Sequence, residues 1–327
     1  MYTSWQPAPL ELDDVRRAAG RISGVALRTP LVPSPALSAE AGTEVLLKLE
    51  TLQPIGAFKI RGAANAVAQL PPAHARAGVT CASTGNHGRA VAYAARRLGI
   101  PAIVCMSRLV PANKVAAIEA LGAEARIVGR SQDEAQTEVD RLVAEEGLAE
   151  IPPFDQADVV AGQGTIALEL LEDAPRLDTL LVPLSGGGLL GGIALAAKAL
   201  KPAIRIVGIS MARGAAMHAS LAAGRPVEVE EQESLADSLG GGIGLANRHT
   251  FALVRDLVDR VVLLDEPQIA RGMRWLFEEE GLVVEGAGAV GVSVLLERLV
   301  PDLGASVGVV VSGRNVDRRA FLTAIGY

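Results

Sequence analysis

Four short segments hold the residues that could do chemistry. The first is PIGAFKIRGA, residues 54–63, which sets Lys59 between Phe58 and Ile60 with glycines at positions 56 and 62. An amine in apolar surroundings is desolvated, which favours its neutral, nucleophilic form. A solvated surface lysine is the plainer alternative. The second is SGGGLLGG, residues 185–192, between the apolar run TLLVPL and an Ala- and Leu-rich helical pattern. Glycines let backbone N–H groups approach a phosphate, and a helix N-terminus adds partial positive charge. The alternative is a tight turn that needs glycine only for its dihedral angles. The third is STGNHG, residues 83–88, again between a strand and a helix. Its donors can converge on an anion such as a carboxylate, or Ser83 or Thr84 can simply cap the helix. The fourth is SGRN, residues 312–315, directly after the strand VGVVVS. It reads equally as a site turn or as a strand-to-helix turn capped by Asn315.

These segments need elements to hold them. Short apolar runs at 43–50, 79–82, 102–106, 125–128, 179–184, 205–209, 260–264 and 306–311 read as strands. Helical patterns at 88–98, 113–121, 132–146, 159–171, 189–200, 214–223, 267–280 and 287–299 alternate with them. Such alternation predicts an α/β fold with open, mostly parallel sheets wrapped by helices. Ligands on such sheets sit at the carboxyl ends of the strands, where three of the four segments lie. The chain has 327 residues, enough for two domains sharing a cleft. Half of them are hydrophobic and only 3% aromatic, so Ala, Val, Leu and Gly must fill the core.

Composition excludes several classes. The formal net charge is -6 and no basic block appears, so nucleic acid is not an expected partner. The two cysteines, Cys81 and Cys105, lack metal-ligand spacing and read as reduced core thiols. The N-terminus lacks a signal-peptide pattern, and no unbroken apolar stretch reaches the ~20 residues of a membrane span. A cytoplasmic protein is expected. One rival reading stays open: Gly186, Gly188 and Gly191 also fit GxGxxG, the mark of a nicotinamide-dependent oxidoreductase. That site needs an acid at the end of the next strand, and RIVGIS ends in Ser210 and Met211. Ser210 and Arg213 could instead hold a 2′-phosphate.

In order and spacing, the four segments resemble the fold-type II pyridoxal-phosphate enzymes. More closely, the chain is similar to their serine/threonine dehydratase and serine racemase branch. The likeness runs over nearly the whole chain, including RTPLVPSPALS and KLETLQPIGAFKIRGA. It implies a tryptophan-synthase-β-like fold: residues 1–80 and 151–327 as a large cofactor-binding domain, and 81–150 as a small domain closing over the site. It implies pyridoxal 5′-phosphate, held by Lys59 as a Schiff base, with the same amine then acting as base at Cα. Asn86 would bond the ring hydroxyl. Gly186, Gly187, Gly188 and Leu189 would cradle the phosphate, Ser312 would face the pyridine nitrogen, and Phe58 and Glu285 would lie beside the ring. Ser83, Thr84, Gly85 and His87 would frame the substrate carboxylate. The implied reaction is α,β-elimination of water from a small β-hydroxy amino acid such as threonine, serine or a 3-hydroxylated analogue, giving a 2-keto acid and ammonia. A homodimer is implied, and isoleucine control is not. An amino-acid racemase and a non-catalytic amino-acid-binding relative are the alternatives within the family. In racemases of the branch a serine at position 84 is the second base. Thr84 adds a methyl group and is stiffer, so elimination is expected to dominate.

Several residues depart from the branch pattern. Arg89 stands where Gln is usual, and Arg314 where Gly is usual. Arg314 reads as an ion-pair partner, or else as a cation selecting a substrate with an additional carboxylate. The strand before Ser210 lacks its usual metal-binding glutamate, so no metal is expected. Glu228, Glu230, Glu231 and Asp237 could rebuild such a site, although clustered acids more often form a solvated loop. The loop SLGGGIG, 238–244, is unusually rich in glycine. These features look closest to the hydroxyectoine-utilisation dehydratases.

Overall fold

The computed structural model describes residues 9–327 apart from 84 and 111. The chain opens with α1 (Leu12–Ile22), β1 (Leu31–Pro33), α2 (Pro35–Ala41) and β2 (Glu44–Leu49). Then come α3 (Ile60–Ala68), α4 (Pro72–Ala77), β3 (Val79–Ala82), α5 (Asn86–Leu98) and β4 (Ala102–Met106). α6 (Ala112–Ala120), β5 (Glu124–Ile127), α7 (Gln132–Glu146) and β6 (Ala149–Glu150) follow. The chain continues through α8 (Ala157–Asp173), β7 (Thr179–Pro183), α9 (Gly188–Leu200), β8 (Arg205–Met211) and α10 (Ala216–Ala223). It ends with α11 (Thr250–Leu257), β9 (Arg260–Leu264), α12 (Glu266–Glu280), α13 (Gly286–Leu296), β10 (Ser306–Val311) and α14 (Arg318–Ile325).

Two sheets form. The larger has the order β1-β2-β10-β7-β8-β9 and the smaller β5-β4-β3-β6. All pairings are parallel except β1 with β2. Strands covered on both faces read as continuous apolar runs, and β7 and β10 are buried at every position. On the large sheet, α2, α12, α13 and α14 share one apolar cluster, while α1, α8, α9 and α11 share that of the opposite face. On the small sheet, α5 and α6 cluster with α3, and α7 packs with β3 and β4. A boundary drawn between residues 80 and 81 would cut β3, whose four residues pair in register with β4.

Helix ends follow local chemistry. Ser131 and Glu134 form a reciprocal capping box on α7, as do Asp265 and Gln268 on α12. Asp317 caps α14, which corrects the reading of Asn315 as its cap. α3 lies between the two units, packed on α5 and α8. It is anchored by a buried charge network. The Arg61 guanidinium donates to both Glu50 oxygens at 2.8 Å and to Glu169 Oε1 at 2.6 Å. Lys48 Nζ donates to Glu169 Oε2 at 2.5 Å and to the Thr29 carbonyl at 2.6 Å. Burial pushes the Glu50 carboxyl up, but Arg61 outweighs it and holds it below its ordinary range. β2, α3 and α8 are thereby joined two residues past Lys59.

Candidate active site

Lys59 is the N-cap residue of α3. Its Nζ donates to the Pro153 carbonyl at 2.6 Å and lies 5.4 Å from the centre of the Phe58 ring. Burial lowers its pKa to about 8, against the opposing pull of Glu285. Both residues line a cavity of about 260 Å³. The other segments meet on the same cavity: Ser83, Gly85, Asn86 and His87 after β3, Gly186 to Leu189 after β7, Glu285 before α13, and Ser312 after β10. Thr84 lies outside the described residues.

Gly187 is the N-cap of α9, with φ at +89° and no side-chain cap. The first N–H groups of that helix therefore have no intrahelical or capping partner. A Cβ on Gly186 would come within 2.5 Å of the Phe154 ring. Close approach thus requires glycine at 186 and the left-handed backbone requires it at 187, so the simple-turn reading falls short.

Residues 151–155 strap the site together. The Ile151 carbonyl accepts from His87 Nε2 at 2.7 Å, Pro153 holds Lys59, and Phe154 lies under the glycines. The Asp155 carboxylate accepts the N–H groups of Arg248, His249 and Thr250 at the start of α11. Sequence reading missed this strap. Its holds on His87 and Lys59 are backbone carbonyls, which leave no residue-type signal. It also missed Lys114, Asp237 and Ser238 in the cavity wall.

Three side chains differ from expectation. His87 is 4% exposed, and burial followed by Lys59 lowers its pKa to about 3. Its Nε2–H is committed to Ile151, and Nδ1, without a partner among the described residues, is a bare acceptor. The neutral ring cannot clasp a carboxylate; only its backbone N–H could. The Asn86 amide donates to Glu285 at 2.8 Å and accepts from Asn315 Nδ2 at 2.6 Å, rather than standing free for a ring hydroxyl. Arg314 is exposed, forms no ion pair among the described residues and does not line the cavity, which removes both expected roles. Ser83 both lines the cavity and accepts from the Gly88 N–H at 3.1 Å. At the end of β8, Ser210 is buried. Glu228, Glu230 and Glu231 are exposed, and no metal-ligating cluster forms among the described residues.

Residues 22–313 match the family described as pyridoxal-phosphate dependent enzyme. The chain belongs to that family. A provisionally named threonine dehydratase of Sinorhizobium fredii is 56% identical, covering 94% of this chain and 93% of its own. The L-threo-3-hydroxyaspartate ammonia-lyase of Saccharomyces cerevisiae is 38% identical over 95% of each chain. Maize serine racemase superposes with a TM-score of 0.91 at 36% identity, covering 97% of each chain. The cofactor of this pyridoxal-phosphate enzyme fits the cavity's donor set. A dianionic phosphate suits uncapped N–H groups held open by glycine, and an aldehyde suits an amine lowered to about 8. The nicotinamide reading is overturned by the family match, whose cofactor is pyridoxal phosphate.

Proposed function

We propose that this pyridoxal-phosphate enzyme is a lyase. It removes water from a small β-hydroxy amino acid, threonine, serine or a 3-hydroxylated analogue, and yields a 2-keto acid and ammonia. One observation supports this most: a lowered amine, a phosphate cradle and an anion-binding helix start share one cavity. Lys59 would hold the cofactor, Gly186 to Leu189 its phosphate, and Ser312, Phe58 and Glu285 its ring. The bound cofactor supplies an electron sink for the electrons of the broken Cα–H bond. Lys59 Nζ takes the Cα proton, since near pH 8 a large share of it is the free amine. The N-cap Gly85 offers α5 no side-chain cap, and with the Gly88 N–H taken by Ser83 the N–H groups of Asn86 and His87 are the ones left for the substrate carboxylate. Ser312 is neutral and does not force a proton onto the ring nitrogen, which suits prompt loss of a β-substituent. The small unit, expected at 81–150, would close on the cavity and exclude water.

The hydroxyectoine-utilising sub-branch and a homodimer belong to the same proposal and rest on the resemblance alone; a cytoplasmic location joins it as an expectation from the sequence pattern. Among the described residues, no helix is long and apolar enough to cross a membrane. The test is a visible spectrum followed by a substrate panel. A yellow protein, bleached by borohydride, that releases keto acid from β-hydroxy amino acids is the expected result. Chiral analysis of leftover serine should show little racemisation. Racemisation keeping pace with keto acid would instead make the chain a racemase, and a colourless protein would remove the proposal.

A further inference from the structure

The Glu285 carboxylate is 5% exposed and lies in the cavity wall. It accepts from Asn86 Nδ2 at 2.8 and 3.1 Å, from the Asn315 N–H at 3.1 Å and from Ser238 Oγ at 3.1 Å. Behind Asn86 runs a chain of amides. Asn315 Nδ2 donates to Asn86 Oδ1 at 2.6 Å and to the Ile55 carbonyl at 2.8 Å. Arg89 Nη1 donates to Asn315 Oδ1 at 3.0 Å.

An amide alone could sit either way round, since its oxygen and nitrogen have nearly the same shape. Here it cannot. A guanidinium only donates, so the Asn315 atom facing Arg89 must be oxygen. Ile55 offers only a carbonyl, so the other end of Asn315 must be NH2. Asn86 must then turn its oxygen to Asn315 and its NH2 to Glu285. Of the side chains hydrogen-bonded to Glu285, only the Ser238 hydroxyl is left able to accept instead of donate.

We infer that Arg89 is a positioning residue that, together with the Ile55 carbonyl, fixes the direction of the Arg89–Asn315–Asn86 chain, so that Glu285 is held as a hydrogen-bond acceptor, a carboxylate, beside the cofactor's place. Arg89 does not line the cavity. A glutamine here could donate or accept, and would leave the Ile55 carbonyl alone to set the direction. Glu285 is faced by Arg89 from α5, by Lys59 before α3, and by Asp237 in the turn 237–239. Burial first, and then Asp237, oppose its charge and push its pKa up to about 7. The chain of donors opposes both.

The test uses three variants of the cofactor-loaded enzyme. Arg89→Met removes the donor, Arg89→Lys keeps a group that only donates, and Arg89→Gln can donate or accept. Two readouts are taken against pH: the visible band of the bound cofactor, and the acid limb of kcat/KM on threonine. In Arg89→Met both should move to higher pH by about one unit, because Glu285 then ionises later. Arg89→Lys should restore them, and Arg89→Gln should fall between. An unmoved band and limb in Arg89→Met overturn the inference, even if the melting temperature falls, because Arg89 would then be structural only. Equal shifts in Met and Lys variants also overturn it. The inference rests on the cavity being the cofactor-bearing lyase site. Absence of any visible band would undo that reading, whereas an unmoved band would undo only the role of Arg89.

Discussion

Lys59 carries the residue-level consequence that is easiest to measure. An ordinary lysine is free amine only above about pH 10.4, but burial brings Lys59 to about 8. Lowering favours the uncharged form, so that form gains population as pH rises through 8. The rate at which cofactor-free protein takes up pyridoxal phosphate should therefore climb with a midpoint near pH 8. A midpoint near 10 would mean the amine is solvated. Lys59→Ala should lose the visible band and about 10²–10⁴-fold or more in turnover, since attachment and proton removal both use that amine. The lysine was legible because its signal is local: apolar neighbours and nearby glycines. Asn315 was not, because what defines it is Asn86, 229 positions earlier, and Arg89, 226 positions earlier. His87 was placed in the correct loop but given the wrong hydrogen bonds, because its partner is a backbone carbonyl that any residue at 151 would supply.

At the scale of elements, the turn from β7 into α9 depends on two different demands on glycine. Gly187→Ala would force a side chain into left-handed backbone, and Gly186→Ala would drive a methyl group into the Phe154 ring. Each should lower stability by about 1–3 kcal/mol and weaken cofactor uptake in proportion. Melting curves with and without cofactor separate the two losses: the cofactor-free form should drop by the strain alone, and the cofactor-loaded form by more. An unchanged uptake curve for both variants would remove the cradle. The strands of both sheets were legible wherever apolar runs stood between turn residues, and 79–82, 102–106, 260–264 and 306–311 have the expected bounds. β1, β6, α1, α2, α3, α4, α11 and α14 were not. Two or three strand residues carry no period, and α2, α4, α11 and α14 run for only six to eight residues, too few to establish a helical one.

For the molecule as a whole, the Arg61 network is the most consequential feature that composition hid. It places Arg61, 1% exposed, against Glu50, 0% exposed, and charged residues of that kind are ordinarily assigned to the surface. Removing one partner leaves a buried charge alone, so Arg61→Met should cost about 3–5 kcal/mol in unfolding experiments. Glu50 is held below its ordinary range. Its contribution is then fully present above the unfolded value of about 4.3 and is lost as pH falls through the lower folded value. Acid unfolding of the wild type should thus steepen below pH 4, and that steepening should be absent in Arg61→Met. The strap at 151–155 has a different kind of consequence. His87 grips it at Ile151, Lys59 at Pro153 and the glycine turn at Phe154, so residues from separate parts of the chain share one short neighbour. Effects of substitutions at distant, independent sites simply add. Across this strap they should not: a change at 87 alters what a later change at 186 can do. The order in which mutations arrive would then decide which sequences the lineage could still reach.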